Sequence, residues 1–110
     1  MIDRELLELA AKAAGYLNWT PSTEGLQIET GSSRGATGFH WNPLVDDADA
    51  FRLAVKLEMD IEITIDQLNH KWVWVYLGRH ALTESCGNDP YTATRRAIVR
   101  AAAEIGRRTE

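Results

Sequence analysis

Apolar and polar positions alternate through the middle of the chain, and they do so in two different ways. In Asp60–Asp66, Ile61, Ile63 and Ile65 fall on one side and Glu62 and Thr64 on the other, which predicts a strand covered on one face. In Lys71–Gly78, Trp72, Trp74 and Tyr76 point one way and Val73, Val75 and Leu77 the other, so neither face is polar. A strand apolar on both sides needs cover on both sides. Gln67-Leu68-Asn69-His70 is short enough to join the two as an antiparallel hairpin. Gly78-Arg79 is the next turn signal, and His80–Cys86 is a third strand that Gly87-Asn88 ends.

Helical periodicity brackets these strands. Leu6, Leu9, Ala10 and Ala13 form one stripe, with Asp3 as candidate N-cap, Glu8 and Lys12 paired outside, and Gly15 as a stop. A second helix follows Asn42-Pro43-Leu44, with Asp46 as its cap and Asp49 placed as in a capping box. Its apolar face (Ala50, Phe51, Leu53, Ala54, Val55, Leu57) is wider than an exposed helix needs and predicts deep burial. A third helix opens at Asp89-Pro90, a capping acid followed by proline at the first helical position. Thr94, Ala97, Ile98, Ala101 and Ile105 make its inner stripe, and Gly106 is its expected end.

These elements predict an α+β fold: a three-layer alpha-beta-alpha sandwich of three helices around a small, largely antiparallel sheet. At 110 residues the chain makes one domain over 1–110. Leu26–Glu29 and Phe39–Trp41 are expected as a short edge strand and its return partner, with a flexible Gly/Ser-rich loop at about 30–38 between them.

Charge narrows the choice of partners. The net charge is −4, but residues 1–66 carry 5 Lys/Arg against 12 Asp/Glu, while residues 67–110 carry 7 against 4. An acidic first half and an arginine-studded last helix do not describe a dedicated nucleic-acid binder, which is usually basic throughout. No apolar run approaches the roughly 20 residues that span a bilayer. Cys86 is the single cysteine, so no internal disulfide forms, and acidic residues stand where a secretory signal would be basic. Both features lead us to expect a cytoplasmic protein.

Candidate chemistry is thin. Gly31–Gly38 with Arg34 could turn backbone N–H groups toward an anion, yet no Gly-Lys-Ser/Thr follows and no helix starts directly after it. His40, His70 and His80 have no metal-ligand spacing, and no spacing pairs Cys86 with a base. We therefore expect no catalytic, cofactor-binding or metal-ligating residue and no cofactor. Trp72, Trp74 and Tyr76 would make a base-stacking platform only on a bare sheet face, and core packing is the expectation. Arg34, His40, Arg96 and Arg100 are the candidate interaction residues.

Trp41-Asn42-Pro43-Leu44-Val45-Asp46-Asp47 with the helix to Leu57 resembles the first signature of the phage ABA sandwich domain family, small proteins of bacteriophages and prophages. Ala93–Gly106 resembles its second signature, the closing helix. The loop at 20–38 and the aromatic strand lie outside the resemblance. It implies the alpha-beta-alpha sandwich and a phage or prophage origin, hence a host-cell cytoplasm. It brings no catalytic residues.

Three functional expectations follow. The first is a non-enzymatic accessory protein, monomer or homodimer, that binds a host or phage protein. The second is a nucleic-acid-binding module using Arg95, Arg96, Arg100, Arg107 and Arg108. The third is a small enzyme with a site near the Gly31–Gly38 loop and His40.

Overall fold

The computed structural model of the chain describes residues 2–29 and 38–108. Three helices, α1 (Asp3–Ala13), α2 (Asp47–Lys56) and α3 (Pro90–Arg108), join six strands in the α+β class expected. The strands are β1 (Asn18–Ser22), β2 (Gly25–Glu29), β3 (Gly38–Trp41), β4 (Asp60–Ile65), β5 (Lys71–Leu77) and β6 (His80–Ser85). They divide into two antiparallel sheets, β1-β2-β3 and β4-β5-β6.

Helix α3 lies on β5 and β6, and it packs against α1 and α2 as well; α1 in turn contacts β2. Because it is enclosed by neighbours, α3 buries far more than one stripe: Ala93, Ala97, Ile98, Val99, Ala101, Ala102, Ala103 and Gly106. Small side chains let the backbones approach. A Cβ on Gly106 would meet the Leu9 carbonyl oxygen at 2.0 Å, so this glycine seats α3 on α1. The expectation that it ends the helix is corrected, since α3 runs on to Arg108.

Local signals mostly act as the sequence suggests. The Asp89 carboxylate accepts from Tyr91 N at 3.0 Å and from the Thr92 hydroxyl at 2.6 Å, capping α3. Asp46 accepts from Ala48 N at 2.9 Å and caps α2. The other half of the capping box is absent, because Asp49 accepts from Asn42 N instead, at 2.9 Å. Asn42 is buried and also donates to Glu24 O at 2.7 Å, tying the β1–β2 turn to the start of α2. Helix α1 begins at Ile2 without a side-chain cap, and Asp3 is its first helical residue. At the two-residue β5–β6 turn Gly78 has φ +61°, a left-handed position that other residues adopt at a cost.

Three burial expectations are corrected, and all concern apolar residues left outside. Helix α2 buries Ala50, Leu53 and Ala54, while Phe51 and Val55 are 69% and 60% exposed. On β4 the isoleucines are no better covered: Ile61, Ile63 and Ile65 are 41%, 53% and 59% exposed. The reason is placement, because α3 sits over β5 and β6 and leaves β4 at its margin.

Strand β5, expected to be covered on both faces, is covered on one. Val73 and Val75 are buried under α3, whereas Trp72 and Trp74 are half-buried and Tyr76 is exposed. Among the described residues, α3 is the helix that packs on this sheet, and it does so on the valine side. The rings cover the sheet themselves, with each polar ring atom turned to a neighbouring strand or turn.

Candidate functional site

The face of β4–β6 away from α3 carries an organised set of half-buried and exposed side chains. Hairpin register puts Asp60 opposite Tyr76, Glu62 opposite Trp74 and Thr64 opposite Trp72, so these six side chains share one face. On the other flank Ser85, Thr83 and Ala81 stand opposite the same three aromatics. Period-two alternation therefore lays His70, Trp72, Trp74 and Tyr76 in one row.

The row is held sideways by hydrogen bonds to side chains beside it. The Trp72 indole donates to Asp66 Oδ2 at 3.1 Å, the Trp74 indole to Thr64 Oγ1 at 3.2 Å, and the Tyr76 hydroxyl to Glu62 Oε1 at 3.3 Å. Trp74 and Tyr76 stack at 6.4 Å with planes 10° apart, and His70 meets Trp72 edge-on at 4.7 Å. His70 Nε2 lies 2.6 Å from Ser85 Oγ. With the polar tips engaged, the flat π-faces and CH edges are what the surface offers a ligand.

The electrostatics of this face are acidic. Asp60, Glu62 and Asp66 lie on it, and the register places no Lys or Arg of β4, β5 or β6 there. The Trp72 indole N–H, then the His70 and Leu68 backbone N–H groups, hold the Asp66 carboxyl below the usual carboxylate range. Partial desolvation, reinforced by the charge and hydrogen bond of Glu62, pushes the Tyr76 phenol up.

The arginine-rich helix is far less available than its sequence suggests. Arg95 donates to Leu44 O at 2.9 Å and to Asp47 Oδ1 at 2.6 Å, clamping α3 to the approach to α2. Arg96 pairs with Asp3 at 3.3 Å and Arg100 pairs with Glu84. Arg107 and Arg108 lie 3.7 and 3.9 Å from Glu104, and Arg108 also meets His80. Arg96, Arg100 and Arg107 do line one shallow groove as spaced, but Glu84 and Glu104 line it with them.

The remaining candidates are not brought together. His40 is exposed on β3, paired opposite Gln27 on the solvent side of the first sheet. Arg34 and most of the Gly31–Gly38 loop lie outside the described residues. Cys86 carries a buried free thiol, and its backbone N–H donates to Lys71 O at 3.0 Å. Among the described residues, no group of three His, Cys, Asp or Glu side chains is placed to hold a metal ion, and no helix is long and apolar enough to cross a membrane.

With this geometry in view, one solved structure is similar. The crystal structure of a phage protein from Bacillus cereus matches 92% of this chain and 92% of its own, with a TM-score of 0.51 and 16% sequence identity. At that identity the likeness is one of fold. No family model and no curated protein matches the chain.

Proposed function

We propose that the chain is a phage- or prophage-encoded accessory protein, acting in the host cytoplasm as a non-enzymatic protein-binding module. Its docking surface is the aromatic face of β5, and the segment it takes is basic. The fold shared with a phage protein and the two family-like segments support the origin. The observation that carries the binding reading is the row of Trp72, Trp74 and Tyr76 on an uncovered face with Asp60, Glu62 and Asp66 and no strand Lys or Arg. An arginine of the partner would stack on an indole and reach a carboxylate in the same step, a cation–π contact of about 0.5–1 kcal/mol at an exposed site. Nucleic acid would meet like charge on this face, and paired arginines on α3. No residue of the face is assigned a catalytic role.

The test is a titration, followed by indole fluorescence, of a peptide that alternates arginine with apolar residues. An acidic peptide of the same length and a single-stranded oligonucleotide serve as the other arms. Only the basic peptide should perturb the indoles, with affinity that falls as salt is added and weakens about tenfold in the Glu62→Gln/Asp66→Asn variant. Oligonucleotide binding should be no tighter than about 10⁻⁵ M at physiological salt. Equal response to acidic and basic peptides, or sub-micromolar oligonucleotide binding, would overturn the reading.

A further inference from the structure

Strand β4 is an open edge, and the exposed apolar side chains gather beside it. Phe51, Ala50 and Ala54 of α2, Ile61 and Ile63 of β4, and Tyr91 of α3 line one apolar groove. Phe51, Tyr91 and Ile63 in that groove are 69%, 70% and 53% exposed. A contiguous apolar surface of this kind beside a free edge marks an association site.

The edge itself is ready to pair. Asp66 N donates to His70 O at 2.9 Å, which makes Asp66 and His70 a hydrogen-bonded pair of the β4–β5 ladder. Antiparallel ladders alternate, so Thr64 and Glu62 also bond inward to β5. Ile61, Ile63 and Ile65 are thereby left with N–H and C=O groups directed away from the sheet. Cys86 N donates to Lys71 O at 3.0 Å, which agrees, since the odd-numbered β5 residues then bond β6. Strand β1, an edge of the other sheet, carries Pro21 as a block, whereas β4 has no proline and no lysine.

We infer that the occupant of this edge is a second copy of the chain, paired β4 to β4 about a two-fold axis at Ile63. This register puts Ile63 opposite itself, Ile61 opposite Ile65 of the second copy and Glu62 opposite Thr64 of the second copy. Centring on Glu62 would oppose two glutamates, and centring on Thr64 would oppose Glu62 and Asp66. In the Ile63 register the like-charge meeting is Asp60 with Asp66, at the ends of the ladder. There the Asp66 carboxylate is drawn back onto Trp72, Leu68 and His70. The interface is self-complementary, as a two-fold contact requires. It makes one six-stranded sheet, with the isoleucines of both copies between the Phe51 and Val55 ridges of both α2 helices. This inference is independent of what the aromatic face binds. An axis normal to the sheet keeps both aromatic rows on the same side, about 14 Å apart across three strand spacings.

Sedimentation equilibrium tests it on the whole chain at concentrations up to ~100 μM, where a dimer of Kd about 10 μM is mostly assembled. The wild type should be dimeric there. Ile63→Lys should raise Kd at least about 30-fold, the loss expected of an interface centre. Phe51→Glu, which leaves the strand intact, should weaken the dimer too, and circular dichroism should show both variants folded. Oxidised Ile63→Cys should cross-link to itself. Ile61→Cys should cross-link only when mixed with Ile65→Cys. A monomeric wild type, an Ile63→Lys dimer as tight as wild type, or Ile61→Cys cross-linking alone as readily as Ile63→Cys would each overturn the inference.

Discussion

Two junctions of this molecule, each with an amphipathic helix on at least one side, end differently. Between α1 and α3 the seam is closed: Gly106 lies against the Leu9 backbone, buried Ala102 and Ala103 share its side of α3, and α1 buries Leu6, Leu7, Ala10 and Ala11. Between α2 and β4 the residues are larger (Phe51, Val55, Ile61, Ile63) and the junction is open. The more hydrophobic of the two is thus the one left in water. Hydrophobicity states that a surface seeks cover, whereas side-chain size decides whether the same chain can provide it. Alanines and a glycine let two backbones meet, but bulky side chains at the margin of a small domain need another surface.

The largest effect should come from the closed seam. In Gly106→Val the new Cβ would sit 2.0 Å from the Leu9 carbonyl oxygen, and backbone cannot yield as a side-chain tip can. A loss of about 3 kcal/mol or more is expected, read as a lower urea midpoint. A loss below about 1 kcal/mol would show that the seam is not tight and remove one side of the comparison.

The aromatic face lies between the extremes. A fully enclosed tryptophan truncated to alanine costs about 3–5 kcal/mol, because a cavity remains. Trp74 is half-buried on an open face, its truncation leaves a dent that water fills, and about 1–2 kcal/mol is expected. A measured cost in the enclosed range would mean that something covers this face.

The sequence shows which of these distinctions are local. Alternation in Asp60–Leu77 is a period-two signal, so the hairpin was legible, as were the caps at Asp46 and Asp89. Strand β1 was not, because Trp19-Thr20-Pro21 carries no alternation and a proline argues against a strand. Cover over β4 and β5 was misjudged because periodicity tells which residues share a face and nothing about what lies above it. The arginines were visible as a charge run. Their neutralising partners were not, since Asp3 is 93 residues from Arg96 in the chain.

A smaller effect is expected from pH. Asp66 and Asp89 are both held below the usual carboxylate range, Asp66 first by the Trp72 indole and Asp89 first by the Thr92 hydroxyl. The folded state therefore binds fewer protons than the unfolded state around the ordinary carboxylate pKa. The stabilisation is present above that value and is lost as pH falls through the lowered folded values, from about pH 4 downward. Asp66→Asn should flatten this acid limb of the stability curve without changing its level at higher pH by more than the lost hydrogen bond. An unaltered acid limb would place the acid sensitivity elsewhere.

The smallest effect on folding, and the sharpest contrast with Gly106, is expected from the open junction. Phe51→Ser and Ile63→Thr remove large apolar groups from positions 69% and 53% exposed. Little apolar area returns to water on unfolding at such positions, and threonine keeps the β-branch that favours the strand. At protein concentrations low enough for monomer, each should change the unfolding free energy by no more than about 0.5 kcal/mol. At high concentration the same variants should fall below the wild type in apparent stability, because a partner that binds only the folded chain adds stability by mass action and the variants lose that partner. A concentration-dependent melting temperature in the wild type, absent in Ile63→Thr, would tie the exposed isoleucines to association. A loss of several kcal/mol at low concentration would instead show that they already serve the monomer's own core, and the two junctions would then be alike.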